Sequence, residues 1–185
     1  MKRKNFIAAS LAFAAAPLSA VAYHPKERGK GFKVKAGEGR LHGHMKLKGV
    51  NSNILDLKVS GSDTGGSLAV FEQTSISQGR GTPLHIHPLQ DEMFYVIEGE
   101  YYFKVGEETF TLTTGDSIFL PKNIPHAWTQ ISPLGKMTVI FQPAGKMEDF
   151  FLAAAALDHE PTKTEMVKLF ADNEMKLVGP PLIIN

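Results

Sequence analysis

From Ser67 to Pro143 the chain repeats one theme, short apolar or alternating runs each closed by residues that turn the backbone. The runs are Leu68 to Ile76, Pro83 to His87, Glu92 to Ile97, Glu100 to Val105, Thr109 to Leu112, Ser117 to Leu120, His126 to Ile131 and Lys136 to Gln142. Their punctuation is Gly79-Arg80-Gly81, Gly99, Gly106-Glu107-Glu108, Gly115-Asp116, Pro121-Lys122-Asn123 and Pro133-Leu134-Gly135. Many short strands at this spacing predict an all-β sandwich or barrel.

After Pro143 the period changes. Met147, Phe150, Phe151, Ala154 and Leu157 recur at helical intervals, and apolar residues at that spacing are core rather than a cofactor box. A second helix begins at Thr162, whose hydroxyl and the Glu165 carboxylate have the spacing of a capping box, and it carries Met166, Leu169 and Phe170 on one face.

The chain has 185 residues, 43% of them hydrophobic and 21% charged, which is enough for one well-buried domain. Its start reads differently. Lys2, Arg3 and Lys4 form a basic patch, Phe6 to Leu18 an apolar run, and Ala20-Val21-Ala22 an AxA-type cleavage site. That order predicts a secretory signal peptide over 1–22 and a periplasmic or secreted protein. The run Arg3-Lys4-Asn5-Phe6-Ile7 resembles a degraded twin-arginine signal.

The apolar run is shorter than the roughly 20 residues of a membrane span. Without cysteine there is no lipid-anchored lipoprotein, disulfide framework or thiol nucleophile. Removing 1–22 takes away three positive charges and no negative ones, so the formal charge falls from +1 to −2. Tyr23 to Lys48 then carries eight Lys/Arg against two acids, and Gly49 to Asn185 nine against seventeen. The basic stretch is Gly/Lys-rich with Phe32 as its one interior aromatic, a composition that argues against nucleic-acid binding. The expected organisation is therefore a signal peptide at 1–22, a basic, solvated and partly disordered arm at 23–66, the barrel at 67–143, and helices with a tail at 144–185.

The chemistry concentrates in Thr82-Pro-Leu-His-Ile-His-Pro-Leu-Gln-Asp-Glu92. His85 and His87 are two apart on a strand, so both point to one face. Pro88 ends that strand, the chain reverses, and the next opens with Glu92. Two imidazole nitrogens and a carboxylate oxygen can then converge, a set that suits a divalent metal such as Mn, Fe, Co, Ni, Cu or Zn. A second HxH pair, His42 and His44, lies in the basic arm without such flanks, and His24 and His159 read as surface residues.

Gly79, His85, His87, Glu92 and Gly99 have the spacing G(x)5HxH(x)4E(x)6G. Downstream, Gly115, Pro121, Asn123, His126 and Gln130 follow G(x)5PxG(x)2H(x)3N with two departures, Asn123 for a glycine and Gln130 for an asparagine. These motifs resemble the two motifs of the cupin superfamily. Asparagine at 123 suits a glycine position in a left-handed turn. The resemblance implies a double-stranded β-helix, or jelly-roll barrel, followed by C-terminal helices, and the chain is similar to small single-domain cupins related to quercetin dioxygenases, including their Leu177-Val178-Gly179-Pro180-Pro181-Leu182 tail. It further implies a 3-His-1-Glu ligand set of His85, His87, Glu92 and His126 around one divalent transition metal per chain, and a homodimer.

By strand alternation Phe94 and Val96 share a face with Glu92, and Trp128 and Gln130 share one with His126. These four are candidate walls of a substrate pocket, and equally simple barrel core. The resemblance implies a metal-dependent, quercetinase-like dioxygenase acting on a small oxygen-chelating substrate, with Glu92 as both ligand and catalytic proton acceptor. Two alternatives stay open. One is a non-redox isomerase or lyase, which needs further titratable groups inside the barrel, from Tyr95, Tyr101, Tyr102 or Lys104. The other is a non-catalytic metal or small-molecule binding protein.

Overall fold

The computed structural model describes residues 29–48 and 51–184, and the expected signal peptide and His24 lie outside them. In chain order the elements are β1 (Met45–Lys46), β2 (Ile54–Val59), a 3-10 turn (Gly61–Thr64), β3 (Ala69–Ser75), β4 (Pro83–Ile86), β5 (Asp91–Glu98), β6 (Glu100–Val105), β7 (Glu108–Thr113), β8 (Ser117–Leu120), β9 (His126–Gln130) and β10 (Gly135–Gln142), then α1 (Met147–Ala156), α2 (Lys163–Asp172) and β11 (Lys176–Pro181). The strands form a six-stranded sheet, β1-β2-β3-β10-β5-β8, and a five-stranded one, β11-β4-β9-β6-β7. All named pairs are antiparallel. This is the double-stranded β-helix with C-terminal helices that the motifs imply.

Alternation sets the register. On β10, Met137, Val139 and Phe141 are buried while Lys136, Thr138 and Ile140 are partly exposed. Val139 lies between Phe71 on β3 and Phe94 on β5. Phe71 meets Phe141 edge-on at 5.9 Å and Phe151 of α1 at 4.9 Å. Burial of each such side chain contributes about 1.5–3 kcal/mol. A one-residue slip would turn the whole row outward, so the pattern allows one register.

Two turns carry backbone constraints. Gly99 joins β5 to β6 at φ 89°, and a Cβ there would stand 2.5 Å from Ser132 Oγ and 2.6 Å from the Leu134 carbonyl oxygen. Asn123 adopts φ 64°, the left-handed conformation expected where the motif has glycine.

The helices fall where their period places them. Met147, Phe151 and Ala154 of α1 are buried against the sheets. Thr162 caps α2: its hydroxyl accepts the Glu165 N–H and the Glu165 carboxylate accepts the Thr162 N–H at 2.8 Å. No helix among the described residues is long and apolar enough to cross a membrane.

Two segments differ from the sequence expectation. The second half of the basic arm is part of the barrel: β2 pairs with β3, and Leu55 and Leu57 are fully buried. The Ile54-Leu-Asp-Leu-Lys-Val59 alternation carries this strand, but its basic neighbourhood masks it. The arm before it is tied down too, with the Arg40 guanidinium over the Phe32 ring and paired to Asp63, whose carboxyl it holds below the usual range. The tail is also a strand. Lys176–Pro181 pairs with β4 at the sheet edge, where prolines are tolerated because one side of the strand needs no ladder donors.

Candidate metal centre

Each ligand comes from a different part of the barrel wall. β4 carries His85 and delivers His87 just past its end, Glu92 is the second residue of β5, and β9 begins at His126, which is the cross-strand partner of His85. All four side chains are buried, and one ligand atom from each lies within 4.8 Å of the others. Glu92 Oε2 is 3.2 Å from His126 Nε2 and 3.7 Å from His87 Nε2, and the Nε2 atoms of His85 and His87 are 3.1 Å apart.

The opposite ring nitrogens explain the orientation. His85 Nδ1 is 2.8 Å from the Pro83 carbonyl, His126 Nδ1 3.0 Å from the Ile124 carbonyl, and His87 Nδ1 3.2 Å from Gln90 Oε1. Each partner is an acceptor, so each Nδ1 carries the proton and each Nε2 keeps its lone pair, all three turned inward. Burial, with the His126 and His87 rings beside it, pushes His85 well below the usual imidazole range, and burial pushes His87 down against the pull of Glu92. Neutral imidazoles are what a cation needs.

These donors fit a metal on the structure's own terms. Glu92 Oε2 and His126 Nε2 are buried without a hydrogen-bond partner, a costly state for a polar atom in an apolar interior. The His85–His87 contact sets lone pair against lone pair. A divalent cation among the four satisfies every one of these atoms.

Beside the ligands lies a cavity of about 60 Å³. Of the expected pocket residues, Phe94 and Trp128 line it and Val96 and Gln130 do not. Val96 is packed in the core. Gln130 is spent on backbone: its carbonyl accepts the Ser77 N–H at 3.0 Å and its amide donates to the Ser75 and Ser132 carbonyls at 3.1 and 2.7 Å. Met147, Phe150, Phe151 and Phe170 are core, as their period says, and they also close the cavity, with Phe170 5.4 Å from the His85 ring.

The remaining histidine readings resolve simply. His42 and His44 bind separate carboxylates, Glu148 at 2.9 Å and Asp56 at 2.7 Å, and form no ligand group. His159 is exposed beside Asp158 and Glu165. Sequence reasoning missed Gln90, Asn51, Gln73 and Thr82. Gln90 had a faint signal, a polar residue three after His87; the other three reach the cavity only through the fold.

Residues 73–141 match the cupin domain family model. The chain is 35% identical over 48 residues to an uncharacterized protein of Methanocaldococcus jannaschii, covering 26% of this chain and 38% of that one. It is 32% identical over 54 residues to an uncharacterized protein of Streptomyces coelicolor, covering 29% and 51%. The chain thus spans about half or less of the length of these curated relatives. Among solved structures it is similar to KdgF from a Halomonas species, with TM-score 0.45, 19% identity and coverage of 49% and 78%. It is also similar to a predicted oxalate decarboxylase from Thermotoga maritima, with TM-score 0.47, 15% identity and coverage of 49% and 80%. The matched segment spans the strands that carry all four convergent ligands, and residues 73–141 form a cupin domain.

Proposed function

We propose that this protein is a metal-dependent dioxygenase acting on a compact, oxygen-chelating organic substrate. The observation that carries the reading is what the cavity lacks: apart from the ligand set, its walls hold no Lys, Arg, Asp, Glu, His or Tyr among the described residues. Tyr95 is exposed. Tyr101 is buried but bonded to Ser75 Oγ at 2.9 Å, away from the cavity walls. Tyr102 and Lys104 alternate with the buried Tyr101 and Phe103, which puts them on the outer face. An isomerase or lyase needs such groups inside to move protons.

A redox-active cation held by His85, His87, Glu92 and His126 would supply electron transfer to dioxygen. The chain's own residues do the rest. His85, His87 and His126 fix the coordination face, Glu92 is the one carboxylate within reach to take a substrate proton, and Phe94, Trp128, Phe141 and Phe151 exclude water. Cavities that enclose drug-sized ligands run to about 300–1,000 Å³. One of about 60 Å³ suits a small diketone or enediol rather than a multi-ring flavonol.

Oxygen uptake tests this. Protein stripped of metal and reloaded separately with Fe(II), Mn, Co, Ni and Cu is assayed with acetylacetone, oxalate and a flavonol. Uptake with the compact diketone, lost on chelation and in His87→Ala, is the expected result. Turnover that consumes no oxygen would move the protein to the Lewis-acid alternative, and failure to retain any cation would remove both.

The reading extends to an exported homodimer. Export is supported by the order of basic patch, apolar run and AxA site at 1–22. Pairing is supported by an apolar row across the outer face of the six-stranded sheet, where Val70, Ile140, Met93 and Phe119 are successive cross-strand neighbours and Phe119 is 58% exposed. Light scattering that returns the monomer mass would remove the pairing.

A further inference from the structure

The C-terminal end of α2 places two apolar side chains over the metal ligands. Glu174 takes a left-handed φ of 64°, its N–H donates to the Ala171 carbonyl at 3.2 Å, and the Met175 N–H donates to the Phe170 carbonyl at 2.9 Å. These two bonds make a Schellman ending, which an apolar pair at its two outer positions frequently accompanies. The pair here is Phe170 and Met175. The Asn173 amide donates to the Leu169 carbonyl at 2.8 Å and ties down the same turn. Phe170 and Met175 are 4% and 2% exposed, so the pair faces the interior.

Each member of the pair sits at one histidine. The Phe170 ring stands edge-on to His85, with centroids 5.4 Å apart and planes at 77°. On β11, Lys176 pairs with Ile86 and Leu177 with His85. Continued by one residue, that register sets Met175 across from His87, and cross-strand partners share a face. Both side chains line the cavity together with His85, His87 and Glu92. Phe150 of α1 meets Phe170 edge-on at 5.1 Å and holds the ring from behind. The cupin match ends at residue 141, so this wall of the site comes from chain outside the matched segment.

We propose that Phe170 and Met175 form a size filter, which admits compact chelating molecules to the metal and turns away those with a ring next to the chelating oxygens. This rests on the dioxygenase reading for the chelating end of the substrate and names the residues that restrict the rest of it. With both side chains in place the cavity is about 60 Å³, and a site packed to native density resists the insertion of extra atoms. Neither side chain titrates, so the part they play is shape alone.

The test uses the Co(II)-loaded full chain, whose visible absorption reports changes in coordination. Acetylacetone and benzoylacetone offer the metal the same diketone pair and differ by a methyl against a phenyl group. The expected result is binding of acetylacetone about tenfold tighter than benzoylacetone, the order of penalty for forcing extra atoms into a packed site. Phe170→Ala and Met175→Ala should each bring that ratio close to one through gain of benzoylacetone affinity. Phe170→Leu, which keeps more of the packing, should narrow it less, and Val167→Ala, on the exposed side of α2, should leave it unchanged. Equal affinities in the unsubstituted protein, a ratio unmoved in both alanine variants, or a ratio narrowed as much by Val167→Ala would overturn the proposal while leaving the dioxygenase reading untouched. So would narrowing that comes only from loss of acetylacetone affinity. Discrimination with turnover that consumes no oxygen in the Fe(II) protein would keep this proposal and overturn that reading. Failure to take up Co(II) would overturn both.

Discussion

The Nε2 atoms of His85 and His87 lie 3.1 Å apart while the Nδ1 of each ring faces an oxygen acceptor, the Pro83 carbonyl for one and the Gln90 side chain for the other. With both protons drawn outward, no proton is left to share between the two inner nitrogens. A cation between them converts a repulsive contact into two bonds. Thermal unfolding after chelation and after addition of Co(II) checks this. At a hundred times its dissociation constant a ligand stabilises by about 2.7 kcal/mol, a rise of roughly 5–10 °C for a chain of this size. His126→Ala should cancel most of it, and equal midpoints with and without metal would rule out the centre.

Acid should destabilise the metal-free protein. His85 and His87 are both held below the usual imidazole range, by burial first. In the unfolded chain they protonate near pH 6.5, while in the folded protein they stay neutral to lower pH. The unfolded state therefore binds more protons below about pH 6.5, and stability falls there by up to about 1.4 kcal/mol per pH unit per histidine. Urea midpoints of chelated protein between pH 8 and 5 should be flat above neutrality and decline below it. A decline of the same size in the double variant His85→Leu/His87→Leu would assign the effect elsewhere.

Alkali probes a different group. Burial pushes the Tyr101 phenol up to about 12, and its hydroxyl donates to Ser75 Oγ at 2.9 Å. An unfolded tyrosine ionises near 10, so stability present below pH 10 is lost as pH rises from there towards 12. Tyr101→Phe should lose about 1 kcal/mol at pH 7, the net value of a buried hydrogen bond, and should show a shallower decline above pH 10. Equal alkaline slopes in the two proteins would exclude Tyr101 as the source.

Gln90 should act on the metal through His87. Besides accepting from the ring, it donates to the Pro143 and Ala144 carbonyls at 3.0 and 2.8 Å, anchoring the entry to α1. Loss of such an outer partner typically weakens metal binding about 10–100-fold. Gln90→Leu should show that loss together with lower stability. Gln90→Glu keeps an acceptor for the ring and gives up the donors, so it should lose stability but retain most of the affinity. Equal affinities in both variants would make Gln90 a structural residue alone.

Gly99→Ala is expected to be among the most damaging small substitutions. Its φ of 89° is strained for any side chain, and the added Cβ meets Ser132 Oγ and the Leu134 carbonyl oxygen. Strain and overpacking each cost about 1–3 kcal/mol, so a loss of roughly 2–4 kcal/mol in chemical unfolding is expected. A loss under about 0.5 kcal/mol would show that the β5–β6 turn can shift.

The strands, the helix starts and the common face of His85 and His87 were legible in local spacing alone, while His126 and the jelly-roll topology were expected only through the resemblance to the two cupin motifs. Period-two runs between turn residues fix strands, Thr162 and Glu165 fix a helix start, and His85 and His87 share a face by alternation alone. Asn123 announced its left-handed turn by standing in a glycine position. What lies across the barrel from those residues is a long-range matter, and only the tertiary structure decided it. It turned Val96 and Gln130 into structure and set Asn51 of the supposed arm and Gln73 on the wall of one cavity. It also laid α1 and α2 over the cavity and made β11 an edge strand despite its prolines. The physical reason is that a cavity belongs to no segment: its walls come from elements remote in sequence, and their juxtaposition follows from the packing of two sheets and two helices, which no local spacing encodes.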